Sequence, residues 1–147
     1  MRFRVLMLLV GAAVFAGTAA CDESLSDLTG PTPNLEPTFS SIQSEILNSS
    51  DSSGRPACVT CHNGNPFVPG NFSGAGAYAA LVDRASFEKP NLLRVAPGDP
   101  NNSYFVHKLE GGPNIVGERM PRGGGPFLTG GQMLVIRKWI ADGAPNN

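Results

Sequence analysis

The sequence predicts an all-α domain of about four short helices joined by long loops. Four segments place apolar residues at helical spacing behind capping residues, and no alternating run is convincing as a strand. The chain also holds 18 Gly and 13 Pro in 147 residues, above average yet short of a disordered composition. Loops of that composition can wrap a flat ligand, which would then supply much of the apolar core.

Residues 1–20 read as an export signal. Arg2 and Arg4 precede an apolar run from Val5 to Phe15, and Gly17-Thr18-Ala19-Ala20 offers a small-residue cleavage site. The apolar run is too short to span a bilayer. Cys21 follows directly, so the junction resembles a bacterial lipobox, whose cysteine takes a diacylglyceryl anchor. Thr18 stands where Leu is usual, and the alternative is ordinary cleavage that leaves Cys21 as a free thiol or removes it. Lipidation leaves no odd cysteine in an exported chain.

Residues 21–38 read as a flexible acidic tether. Asp22, Glu23, Asp27 and Glu36 stand among Ser, Thr and Pro with no basic or aromatic residue, too polar to offset the entropy of ordering. The domain proper is residues 39–147, where nine Lys and Arg face eight Asp and Glu. Nothing in that balance suggests a nucleic-acid surface. About 110 residues bury one core, and a thin one.

The first helix is a stripe of Phe39, Ile42, Ile46 and Leu47, with Ser40 and Gln43 fitting a capping box. Tyr78, Leu81, Val82 and Ala85 make the second. The third opens at Asp99-Pro100, a cap residue followed by proline at the first helical position, and runs to Gly111-Gly112. In the fourth, Thr129 and Gln132 form a capping box and Leu128 can staple onto Met133. Ile136, Trp139 and Ile140 then continue the buried face.

Cys58-Val59-Thr60-Cys61-His62 follows the first helix and carries the chemistry. C-x-x-C-H is the attachment signature of c-type haem. Two thiols one turn apart can each form a thioether to a haem vinyl group, and the adjacent imidazole offers a neutral nitrogen as proximal iron ligand. That imidazole should donate its other N–H to a carbonyl, for which the Asn65–Pro69 loop is the nearest source. Export agrees, because c-type haem is attached outside the cytoplasmic membrane.

For the second axial ligand the chain offers Met120, Met133 and His107. Met133 is explained as a stapling core residue, and His107 falls roughly opposite the Phe105/Leu109 face of its helix, where solvent exposure is expected. Met120 lies in Gly117–Pro126, a stretch too rich in Gly and Pro for regular structure, and a thioether–iron bond would explain its order. Met120 is the expected distal ligand. Arg55, Arg94, Arg119 and Arg122 are candidate partners of the haem propionates. Phe67, Phe72, Leu92, Leu93, Phe105, Phe127 and Trp139 are candidates for the pocket wall.

Four stretches together carry a family resemblance. They are Cys58-x-x-Cys61-His62, Pro97-Gly98-Asp99-Pro100-Asn101-Asn102-Ser103-Tyr104, Arg119-Met120-Pro121 with Gly124-Gly125-Pro126, and Ile136-Arg137-x-Trp139-Ile140-x-x-Gly143-Ala144. The chain from about Thr38 to Ala144 resembles the small mono-haem cytochrome c domains of bacterial envelope lipoproteins. The resemblance implies a class I-like cytochrome c fold whose terminal helices cross beside the haem. It implies Cys58 and Cys61 as attachment residues, His62 as proximal and Met120 as distal ligand.

The expectation is an electron carrier rather than an enzyme, with one haem c. It would be lipid-anchored on the periplasmic side of the membrane, or soluble in the periplasm, and serve redox protein partners of the envelope. Three other chemistries use the same residues. In a haem peroxidase or gas or redox sensor Met120 would let go, which needs a nearby acid or base such as Glu118. A thiol–disulfide oxidoreductase would use Cys58 and Cys61 but lacks a β-α-β context. A zinc site would need Cys58, Cys61, His62 and His107 to converge.

Overall fold

The computed structural model describes residues 30–147. The expected export signal, Cys21 and residues 22–29 of the expected tether lie outside the described residues. Among the described residues the chain is all-α, with four helices, short 3₁₀ turns and three isolated β-bridges but no strand. None of these helices is long and apolar enough to cross a membrane.

Helix α1 (Phe39–Ile42) widens into a π-helix over Gln43–Leu47. Its cap is Thr38, whose hydroxyl accepts from Ser41 N, so the expected Ser40–Gln43 box does not form. The amides of Phe39 and Ser40 donate to Oδ1 and O of Asn147, so the last residue of the chain satisfies the orphan donors of the first helix.

Helix α2 (Ala77–Leu81) is shorter than its stripe predicts. Val82 is already extended, and Val82 and Ala85 pair instead with Val95 and Leu93 as β-bridges. The third segment splits. Asp99 caps a 3₁₀ turn, Pro100–Asn102, and α3 (Tyr104–Glu110) starts only after the extended Ser103. Gly111 then ends α3 with φ near 76°, a conformation that costs glycine little.

Helix α4 (Gly130–Ala141) forms as predicted, with the Thr129/Gln132 capping box complete on both sides. Its buried face carries Met133, Ile136, Trp139 and Ile140. Trp139 is fully buried, its ring centroid 5.7 Å from that of Phe39, and Phe39 meets Tyr78 edge-on at 5.1 Å. Three helices thus share one aromatic layer. Trp139 Nε1 and Tyr78 OH donate to the carbonyls of Pro145 and Ala144, so the layer leaves neither polar tip unpaired.

The tether's near end differs from expectation. Leu35 is fully buried and Thr32 nearly so, and Gln132 Nε2 donates to Thr32 Oγ1 at 3.0 Å. The chain is therefore packed from about residue 32, not from 39. One leucine and one hydrogen bond to a residue 100 positions away order a stretch whose composition alone does not.

Candidate functional site

The π-helical turn is where the site begins. A helix end leaves carbonyls without intrahelical donors, and here one side chain collects them. Arg55, 1% exposed, donates from Nη1 to Ile46 O and Pro56 O and from Nη2 to Glu45 O and Ser49 O. Its Nε pairs with Asp51 at 2.9 Å. Asp51 is held below the usual carboxylate range: burial raises it, but hydrogen bonds from Ser53, Arg55 and Gln132 outweigh that. The Cys58 thiol shares the Ile46 carbonyl at 3.5 Å. Arg55 thus docks the next segment onto α1.

That segment is one helical turn. Cys61 N and His62 N both donate to Cys58 O, at 3.2 and 2.9 Å, so Cys58, Cys61 and His62 fall at i, i+3 and i+4 on one face. All three line a cavity of about 400 Å³, a volume within the usual range of ligand sites.

His62 is oriented from behind. Its Nδ1 stands 3.1 Å from Pro69 O, within the loop the sequence suggested, and as donor to that carbonyl it leaves Nε2 a free acceptor. Phe72 stacks on the imidazole at 4.6 Å, and Phe72 N donates to His62 O, closing the 63–71 loop. Gly70 makes this close return possible: its φ is near 95°, and a Cβ there would lie 2.8 Å from the Phe72 ring. Burial lowers the His62 pKa, with the carbonyls of Pro69 and Gly70 opposing it, which favours the neutral ring. Burial likewise pushes the Cys58 thiol up to about 11, with Arg55 pulling the other way.

Met120 also lines the cavity, together with Leu81, Phe105, Leu109 and Leu128. Its amide donates to Lys108 O at 2.8 Å, which holds its loop against α3. Met133 is buried in the core and is not part of this wall. His107 lies off the wall too, half-buried rather than exposed as expected, with Nε2 against Asn101 O at 2.6 Å. Tyr104 packs beside it, and its Nδ1 is buried without a hydrogen-bond partner.

Of the seven apolar wall candidates, Phe67, Phe72 and Phe105 line the cavity, while Trp139, Leu92, Leu93 and Phe127 do not. Phe127 instead carries the Arg119 guanidinium 3.9 Å from its ring centre, which takes Arg119 out of the cavity. Four cations remain on the wall: Arg55, Arg94, Lys108 and Arg122. Arg55, Lys108 and Arg122 pair with Asp51, Glu88 and Glu118. Arg94 has a hydrogen bond to Ala80 O at 2.6 Å but no carboxylate partner among the described residues. Burial and the nearby Arg84 lower its pKa. It is a cation in search of an anion.

Glu88 and Lys108 carry no role in the sequence reading, and Tyr104 appears there only within a motif. Tyr104 OH donates to Glu88 Oε2 at 2.6 Å, and Lys108 Nζ lies 3.2 Å from the same oxygen. The signal was present for Lys108. Tyr104, Phe105, Lys108 and Leu109 form a helical stripe, so a lysine sits on the apolar face of α3.

Two rival chemistries lose ground on this geometry. Cys58, its thiol pushed up by burial to about 11, is a poor nucleophile for disulfide exchange, which leaves the exposed Cys61 alone for that chemistry. Among the described residues no three His, Cys, Asp or Glu side chains cluster as a zinc site requires. In comparisons with known proteins, no family model, no curated protein and no solved structure matches the chain.

Proposed function

We propose that this chain is an exported mono-haem c-type cytochrome that carries electrons in the bacterial cell envelope. The observation that carries the reading is the shared wall: Cys58, Cys61 and His62, from one turn of the chain, line one apolar cavity with Met120, which is distant in sequence. Cys58 and Cys61 would hold the haem through two thioethers, with His62 Nε2 and Met120 Sδ as axial ligands. A neutral imidazole and a thioether are the donors a low-spin carrier needs, and His/Met ligation favours a raised potential. Arg94, the wall cation without a carboxylate, would take a propionate. When bound, the haem supplies a one-electron couple whose ligands change little between redox states. The Pro69 carbonyl fixes the His62 ring, and the Leu81, Phe105, Leu109 and Leu128 side chains keep water from the cavity floor. The all-α fold with its terminal aromatic layer supports a class I-like arrangement. Cys21, if lipidated, tethers the domain to the membrane on its periplasmic side.

A second reading, a haem peroxidase or sensor in which Met120 dissociates, draws on Glu88, Tyr104 and Lys108, which put acid–base groups on the wall. Those groups are committed to one another and to the Met120 loop, which favours the carrier.

The experiment is the ferric spectrum of protein matured with its haem. A carrier shows the weak far-red sulfur-to-iron band and turns over peroxide slowly. Met120→Ala abolishes that band and opens the iron to cyanide, whereas Met133→Leu and His107→Ala leave it unchanged. A high-spin wild type with rapid peroxide turnover would select the second reading. Cys21→Ser tests the anchor separately: membrane fractionation is lost while the visible spectrum stays the same.

A further inference from the structure

Helix α3 holds the Met120 loop by its backbone, and the grip joins a buried lysine to a carboxylate at the surface. The peptide groups of Val116 are taken at both ends: its N–H donates to Tyr104 OH at 3.0 Å, and its carbonyl accepts from Lys108 Nζ at 2.8 Å. Tyr104 and Lys108 stand one turn apart on α3, and a single Glu88 oxygen joins them. Four residues on, Met120 N donates to Lys108 O, and Arg119 Nε donates to Leu109 O at 2.7 Å. These two contacts use carbonyls that the end of α3 would otherwise leave unpaired. The Val116 side chain is 47% exposed, so the loop is not held there by apolar packing. A leucine at position 108 would fill the apolar face of α3 without the cost of desolvating an ammonium. The lysine instead directs its ammonium at Val116 O and Glu88.

We propose that Glu88, Tyr104 and Lys108 are positioning residues that clamp the 116–120 loop onto α3 and thereby set how readily Met120 leaves the cavity. The inference rests on Met120 as distal ligand, and it deepens that reading by naming what resists ligand exchange. Lys108 supplies the charge-assisted bond to Val116 O. Tyr104 fixes the adjoining N–H. Glu88 holds both donors in register from outside the helix. Removing one member leaves the other two imperfectly paired, so the three act as a unit.

The test combines cyanide association with the ferric holoprotein and amide hydrogen exchange at Val116 and Met120. Glu88→Gln, Tyr104→Phe and Lys108→Met should each speed cyanide binding by about tenfold, the factor that a charge-assisted hydrogen bond contributes. They should raise exchange at Val116 in parallel. Lys138→Gln, which breaks an exposed pair with Asp142 on α4, should change neither. Unchanged exchange and unchanged cyanide rates in Glu88→Gln and Tyr104→Phe would overturn the clamp, and those two variants decide the matter if Lys108→Met does not fold. Faster exchange with an unaltered cyanide rate would overturn its control of Met120. A wild type without the far-red band would instead remove the Met120 ligand, and Val116 exchange alone would then decide whether the clamp exists.

Discussion

The aromatic layer and the cavity are built from similar residues and end in opposite states. In the layer, Phe39 meets Tyr78 and Trp139 within 6 Å, both polar tips are paired, and residues 144–147 close over the helices. On the cavity side the apolar side chains stand apart around open space, and at its rim Phe67 is 90% exposed and Phe87 is 74% exposed. A small domain has little apolar area to leave unburied. One half is complete from its own side chains, and the other encloses a cavity of about 400 Å³. The polar groups differ as well: the layer has two tips, both capped by backbone, whereas the cavity wall carries an imidazole, four cations and a thioether.

Substitutions at the two regions should therefore cost very different amounts. Trp139→Ala removes the largest side chain of the layer and should lower the unfolding free energy by about 3–5 kcal/mol, measured by urea denaturation of the matured protein. Arg55→Met, at the joint between the regions, strands the Asp51 carboxylate and four carbonyls and should cost on the order of 3 kcal/mol. Phe67→Ala sits at the far end of the scale. As an exposed residue it should change stability by less than about 0.5 kcal/mol. A large loss there would mean that the rim is packed and the contrast between the regions is false.

The joint also predicts a pH dependence. Asp51 has a depressed pKa in the folded protein. A group so shifted binds its proton more readily when unfolded, so its contribution to stability is complete above the unfolded value and is lost as pH falls through the folded one. Stability should decline below about pH 4, and Asp51→Asn should be less stable at pH 7 yet flatter across that range. An unaltered acid slope in the variant would assign the decline to other carboxylates, Glu110 with its Arg137 pair first among them.

Local patterns were legible and long-range ones were not. The Thr129–Gln132 box, the α4 face and the turn through Cys58, Cys61 and His62 are each encoded within five residues or a single helix, and the carbonyl behind His62 is seven residues away. Val82 and Ala85 continue a helical stripe yet leave the helix, because the 93–95 segment offers backbone partners that the stripe cannot reveal. Thr32 and Leu35 are ordered by contacts from the opposite end of the chain. Glu88 acquires a role only through side chains sixteen and twenty positions later. The four proposed haem contacts each lie in a motif. Of the residues that hold the Met120 loop, Tyr104 and Arg119 fall in motifs but Glu88 and Lys108 do not.

The central claim, that the cavity is completed by a covalently held haem, is tested most directly by intact-mass analysis of protein produced with a c-type maturation system. The protein is denatured and treated with a thiol-alkylating reagent. The account predicts a chain that retains one haem after denaturation, with Cys58 and Cys61 both refusing the reagent and the added mass travelling with the peptide that spans residues 58–62. A chain that releases its haem and alkylates at both cysteines would contradict it.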